Sequence, residues 1–332
     1  MAKLITIFGA TGAQGGSLIR SLLQNKSQEF TLRGITRNPS SDAARKLSET
    51  GVEVVKADGF NKEEMVAAFK GSWGVFVNTN SDDPALEKPD APTELELGKL
   101  IVDAAVEAGV QHFVYSGMAS AAETTGGKIP LDAFDHKHGI GEYAKSTNAF
   151  KTVVVPSAGW YMENFLIRDI APVFGGFPYI PSETGELVFR APHWGGKEDI
   201  PFIAMGDDFG DIVHGIFLNP EKWNGNLVQG VSNISSLEDA VQAFEKATGK
   251  KARFEEIPKW QDLETYGMRS LETVKGMFGF CQESGGRYYG VQTENSTAAE
   301  LKKAAAEAQG KSGNETTLLT LEAWFKREFG SK

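Results

Sequence analysis

The chain has 332 residues, 41% hydrophobic and 23% charged, long enough for a sizeable core in one large domain or two modest ones. A formal net charge of −10 without any gathering of Lys and Arg argues against a direct nucleic-acid surface, because phosphate binding rests on clustered cations. The single cysteine, Cys281, excludes an intrachain disulfide framework and a Cys-based zinc cluster, and no apolar run approaches the roughly 18 residues of a membrane helix.

The opening "MAKLITIFGA" enters a strand-like run with no basic segment and cleavable apolar stretch before it, so a cytoplasmic protein is expected, with nuclear access on a partner. Short β-branched runs at 3–8, 31–36, 52–57, 74–78, 112–116 and 151–156 alternate with helical patterns at 14–25, 40–50, 62–70 and 94–109. In the last of these, Leu97, Leu100, Ile101, Ala104, Ala105 and Ala108 share one face. This alternation predicts an α/β fold, a Rossmann-type doubly wound parallel sheet over residues 1–156.

After Pro156 the chain turns rich in Gly, Pro and aromatics, which suits a smaller mixed C-terminal or cap domain over 157–332, with segments around 205–230 free to return to the first domain. Helices are expected near 207–218 and 235–248. The polar "CQESGGRYYGVQTENS" reads as a loop. The Ala-rich run after it reads as a solvated helix or a mobile insertion, so 281–312 is expected to be inserted material. The closing "TLLTLEAWFKREFG" is amphipathic and is expected to dock on the cap.

"FGATGAQGGS" sets Gly9, Gly12 and Gly15 between the first strand and the first helix. Such glycines permit a tight turn, a close backbone approach to a pyrophosphate and close helix packing, while the helix N-terminus favours the phosphates. The second strand ends in "GITRNPSS", which has Arg37 and no acid. An acid there would accept from a ribose 2′-OH, whereas a guanidinium pairs with a 2′-phosphate, so NADP(H) is the expected cofactor. The plain alternative is a solvated loop arginine. Asp58 and Gly59 follow the third strand, suited to the adenine, and Asn78, Thr79 and Asn80 follow the fourth, near the nicotinamide ribose.

In the order "FGATGAQGGS", "TRNP", "VNTN", "LGKLIVDAA", "HFVYSG", "FDHKHGIGEY" and "WYMENF", the sequence resembles the NmrA-like family of atypical short-chain dehydrogenases over residues 3–260. The NADP(H)-sensing members are the nearest pattern. The resemblance implies a Rossmann domain, a smaller C-terminal domain and a cleft between them facing the nicotinamide. It also implies that Gly9, Thr11, Gly12, Ala13, Gln14 and Gly15 line the phosphates and that Arg37 holds the 2′-phosphate. By the same carry-over Lys99 and Lys137 contact the cofactor, and Tyr161, Glu163 and Asn164 border the nicotinamide.

The wider superfamily uses Tyr-x-x-x-Lys, the tyrosine protonating the substrate oxygen. With Lys137 as that lysine, the tyrosine position is Ala133, which has no proton to give; Tyr143 lies six residues after the lysine. Lys137 itself, His136, His138 or Tyr161 are the candidate substitutes, and Ser116 at a strand end is a candidate substrate contact or a hydroxyl bonded to backbone. His136 and His138 lack a plausible full ligand set, so no metal is expected; polar residues at a helix start, with Asp135 near the N-cap, explain them better. Two functions follow. The leading one is an NADP(H)-binding redox sensor or regulator read by a protein partner. The other is an NADPH-dependent reductase of a small carbonyl, enone or imine substrate, and the oligomeric state is open in both.

Overall fold

Isoleucines at 5 and 7, wholly buried, anchor β1 (Lys3–Phe8) at the centre of the molecule, and five further short runs build outward from it. The computed structural model of the chain describes residues 2–330. The first half runs α1 (Ala13–Leu23), β2 (Phe30–Thr36), α2 (Asp42–Glu49), β3 (Glu53–Lys56), α3 (Lys62–Phe69), β4 (Gly74–Val77), α4 (Glu94–Glu107), β5 (His112–Tyr115), α5 (Ala121–Thr124), α6 (Asp132–Ser146) and β6 (Thr152–Ala158). Capping sets several of these starts. Ser41 and Asn61 accept from the third amide of α2 and α3, and Thr93 with Glu96 forms a reciprocal capping box on α4.

The later chain adds β7 (Trp160–Tyr161), β8 (Leu187–Pro192), β9 (Ile200–Ile203), α7 (Gly210–Leu218), β10 (Leu227–Gly230), β11 (Asn233–Ser235), α8 (Leu237–Thr248), β12 (Ala252–Ile257), α9 (Arg269–Ser284), α10 (Ser296–Ala308) and α11 (Leu321–Phe329). Strand β10 lies parallel to β6, which completes a seven-stranded, all-parallel sheet in the order β10-β6-β5-β4-β1-β2-β3. Strand order reverses between β1 and β4, and ligands of such sheets bind at that crevice. Helices α1, α7 and α10 cover one face; α3, α4 and α6 cover the other. The α/β, doubly wound expectation therefore holds, and the returning segments 205–230 join this layer as α7 and β10.

A smaller mixed unit contains the three-stranded sheet β11-β9-β7 and the parallel pair β12-β8. Its core is aromatic: Trp160, Phe165, Phe202 and Trp324 interlock there, and α11 docks through Leu321, Trp324 and Phe325.

The run 281–312 departs from its reading as a loop followed by a solvated or mobile stretch: much of it is helical and packed. Residues 281–284 are the last turn of α9, and α10 packs on α7 through Ala298, Leu301, Ala305 and Ala306. The α10 side chain Lys302 is buried between Asp208 and Asp211, an ion-pair cluster that ties α10 to α7. Sequence reading saw only the polar and Ala-rich composition of this run, because a helix packed through alanines carries a faint apolar stripe. The long helix α9 was not anticipated at all. Asp135 sits near the N-cap of α6, Leu131, as expected: in the first turn of the helix its carboxylate accepts from the Leu131 amide at 2.8 Å, the Ala122 amide at 3.0 Å and Ser120 Oγ at 2.8 Å.

Candidate functional site

The turn after β1 is shaped by glycine for reasons a side chain cannot meet. Gly9 has φ +77°, and a Cβ on Gly15 would lie 2.3 Å from the Gly9 carbonyl oxygen. Helix α1 therefore packs directly on the turn. Its N-cap, Gly12, supplies no side chain to the helix amides. The first-turn N–H groups of Ala13, Gln14 and Gly15 are left for an anion, in the positive end of the helix dipole.

From this turn a cleft of about 350 Å³ runs along the carboxyl ends of β1, β2, β3 and β4. Gly9, Thr11, Arg37, Asp58, Gly59, Asn78, Thr79 and Asn80 line it, so the structure brings these predicted residues together. Gly59 admits the Phe8 ring, which a Cβ would meet at 2.8 Å. Ser41 lines the cleft as well, its hydroxyl capping α2. Arg37 crosses the rim and pairs with Asp83 at 2.9 Å, its side chain 58% exposed. Asp83 also lines the cleft and caps the turn at 84–87. Sequence reading missed it.

At the other end, Tyr161 of β7 accepts from Gln14 Nε2 at 2.7 Å, which joins the glycine turn to the smaller unit. Burial raises the Tyr161 phenol above its ordinary value, against the Gln14 hydrogen bond. Gln14 is buried, and its Oε1 has no partner. A free helix terminus, glycine-lined backbone, a rim guanidinium and an orphaned amide oxygen together fit a phosphorylated dinucleotide along the cleft.

Lys137 is placed differently from expectation. It does not line this cleft; its Nζ reaches Glu94 Oε1, the Thr79 carbonyl at 2.9 Å and Thr79 Oγ1 at 3.2 Å. All three ammonium hydrogens thus have acceptors within the protein. Thr79 Oγ1 donates to Glu94 Oε1 at 2.6 Å and meets Tyr115 Oη at 2.9 Å, so four side chains form one buried network. Burial lowers the Lys137 pKa from its ordinary value, opposed by Glu94, and pushes the Tyr115 phenol well up.

Glu94 went unnoticed in the sequence although a signal existed. It lies three residues before Leu97 and seven before Ile101, on the buried face of α4. Only 4% of it is exposed, and its Oε2 has no hydrogen-bond partner.

Beyond Asn80 the chain passes into a second cavity of about 490 Å³, lined by Ser81, Asp82, Glu94, Ala133 and His136 among others. His136, the candidate donor on α6, faces this space, as does the methyl of Ala133 where a tyrosine would stand.

Four predicted site residues lie elsewhere. Lys99 lies away from the cleft, its Nζ 5.3 Å from the Tyr143 ring centroid. Glu163 accepts from the Met205 amide at 3.1 Å and the Gly206 amide at 2.8 Å, which fastens a short π-helical turn (Met205–Phe209) that leads into α7. Asn164 lines a small apolar pocket with Trp160 and Phe165. Ser116 is buried at the end of β5, its amide bonded to the Val77 carbonyl at 2.8 Å. Among the described residues no group of three or more His, Cys, Asp or Glu has metal-binding geometry, and no helix is long and apolar enough to cross a membrane.

Comparison with known proteins adds the following. A model of the NmrA-like family matches residues 1–310. The NmrA-like family domain-containing oxidoreductase FrzB of a Cladobotryum species is 50% identical over 337 aligned residues, covering 100% of both chains, the stretch 281–312 included. Among solved structures, NmrA, a negative transcriptional regulator, in complex with NADP is 20% identical with a TM-score of 0.73, over 99% of this chain and 95% of that one. An NADPH-dependent quinone oxidoreductase of Escherichia coli, complexed with NADPH, is 20% identical with a TM-score of 0.68, over 98% of this chain and 100% of that one. These two likenesses show the fold.

Proposed function

The chain belongs to the NmrA-like family, and from its site we propose that it is an NADPH-dependent oxidoreductase that reduces a small organic substrate in the second cavity. The observation that carries this reading is a second space at the rim of the cleft: Asn80 and Asp83 line the cleft, while Ser81 and Asp82 between them line the cavity beside Glu94. A protein that only binds a dinucleotide has no need of the second space. The full-length similarity to a relative named as an oxidoreductase points the same way.

In this reading the amides of Ala13, Gln14 and Gly15 hold the pyrophosphate, and Arg37 exchanges Asp83 for the 2′-phosphate. When bound, the nicotinamide supplies a hydride. Lys137 is a positioning residue: it neutralises Glu94 and fixes the Thr79 peptide at the junction of the two spaces. Gln14 and Tyr161 close the nicotinamide end.

A second reading, a dinucleotide-sensing regulator acting through a protein partner, is favoured by Ala133, since sensing needs no proton donor at that position. The test is calorimetric titration with NADPH, followed by NADPH absorbance over a panel of carbonyls, enones and imines. Consumption of NADPH with at least one class is expected. NADPH binding without consumption across the panel, together with a dinucleotide-dependent change in size or partner binding, would replace the reductase with the regulator.

A further inference from the structure

The turn between β2 and α2 carries a serine hydroxyl that cofactor binding leaves unused. Asn38–Ser41 is a tight turn: the Ser41 amide donates to the Asn38 carbonyl at 3.2 Å, and the Ser40 amide to Asn38 Oδ1 at 3.0 Å. Ser41 is spent, because its Oγ accepts from the Ala44 amide at 3.2 Å as the N-cap of α2. Ser40 is not. It is exposed, and its hydroxyl has no hydrogen-bond partner among the described residues. It stands just outside the cleft that Arg37, Asn38 and Ser41 line.

Arg37 precedes Ser40 by three residues, and Asp83 is its one ion-pair partner among the described residues. A cation at that spacing before a free serine in an exposed turn is the kind of charge pattern by which protein kinases choose substrates. The turn also says what a phosphate there would do. Its ends lie within about 7 Å of one another, so a phosphate on Ser40 comes within reach of the long Arg37 side chain. Ser40 lies one residue ahead of the N-cap of α2, at the positive end of that helix's dipole. Asp42, the acid beside it, is paired with Arg45.

We propose that Ser40 is a phosphorylation site for a protein kinase directed by Arg37, and that phosphate on Ser40 and the 2′-phosphate of NADPH exclude one another, because both require that guanidinium. The modification site stands on the turn; the exclusion rests on the NADPH reading above. In the modifying step Ser40 Oγ bonds to the γ-phosphorus of ATP, the bond from that phosphorus to the ADP oxygen breaks, and the hydroxyl proton passes to the base of the kinase. The product carries a charge of about −1.5 to −2 at pH 7 and three acceptor oxygens. It draws Arg37 away from Asp83 within the same chain and meets an arriving 2′-phosphate with like charge. The linkage is reciprocal: NADPH that holds Arg37 hides the cation the kinase reads, and so protects Ser40. NADH has no 2′-phosphate and competes for nothing at Arg37.

The test uses the full chain with ATP and the catalytic subunit of cyclic-AMP-dependent protein kinase. The phosphate is located by mass spectrometry, with Ser40→Ala as the control. Modification at Ser40 is expected, slowed about tenfold or more by saturating NADPH and little by NADH. Calorimetry on the modified chain is expected to give NADPH binding about 10- to 100-fold weaker, with NADH nearly unchanged. No phosphate at Ser40 overturns the site. Phosphate at Ser40 with NADPH affinity unchanged, in a chain that prefers NADPH to NADH before modification, overturns the exclusion. An unmodified chain that binds the two dinucleotides equally overturns the NADPH reading, and the exclusion with it, while leaving the modification site in place.

Discussion

Replacing Lys137 with methionine tests whether the buried network is an ion pair held in place by the fold. The Glu94 side chain is 3% exposed and that of Lys137 14%, so solvent screens the pair little. In Lys137→Met the carboxylate keeps only the Thr79 hydroxyl, and the expected loss of stability is about 3–5 kcal/mol, the usual cost of stranding one partner of a buried pair. Glu94→Gln leaves Lys137 with both Thr79 oxygens and an amide oxygen, and should cost less, about 1–3 kcal/mol. The double variant removes both charges, so its cost should fall short of the sum by at least about 1 kcal/mol.

Urea denaturation of the four proteins at neutral pH measures these costs. Single costs that add to within about 0.5 kcal/mol would refute the network as drawn.

Gly15→Ala drives a methyl into the Gly9 carbonyl, which is backbone and cannot yield; NADPH binding by calorimetry should be lost, with a lower Tm. Arg37→Ala should weaken NADPH by about 10- to 100-fold, as for loss of a charge-assisted contact, and leave NADH nearly unchanged. Asp83→Asn should tighten NADPH several-fold, because Arg37 no longer has to leave a carboxylate. His214 is buried against Ser21 and Asn25, and burial holds its pKa down at about 4. Its contribution is present above pH 6.5 and is lost as pH falls toward 4, roughly 3 kcal/mol in all, so His214→Gln should flatten acid denaturation in that window.

Much of this was legible in the sequence. Gly9, Gly12 and Gly15 declare themselves because a turn that tight admits few alternatives, and Arg37 is readable because it stands where an acid otherwise would. These are local constraints, in which one residue type at one spacing is dictated by its immediate neighbours. Lys99 and Glu163 show where such reading fails. Both occur in stretches that carry the family resemblance, but Lys99 turns toward Tyr143 and Glu163 is taken by two amides of a segment more than forty residues later. Lys302 was unreadable for the same reason: its two carboxylates lie on or just before another helix, and only the packed fold brings them within reach.

Ala133 and Glu94 make a coupled case. Taken alone, an alanine in place of a catalytic tyrosine argues for lost chemistry. Glu94 adds to that inference, because it occupies the lysine that would have acted, and its second oxygen is enclosed without a donor among the described residues. His136, on the wall of the cavity beside the alanine, is then the side chain left to protonate the oxygen of a reduced carbonyl. In a reductase, the departure from Tyr-x-x-x-Lys moves the proton source from residue 133 to this neighbour on α6, and His136→Ala should lower carbonyl turnover while NADPH binding is unchanged; turnover equal to that of the parent chain would refute the assignment.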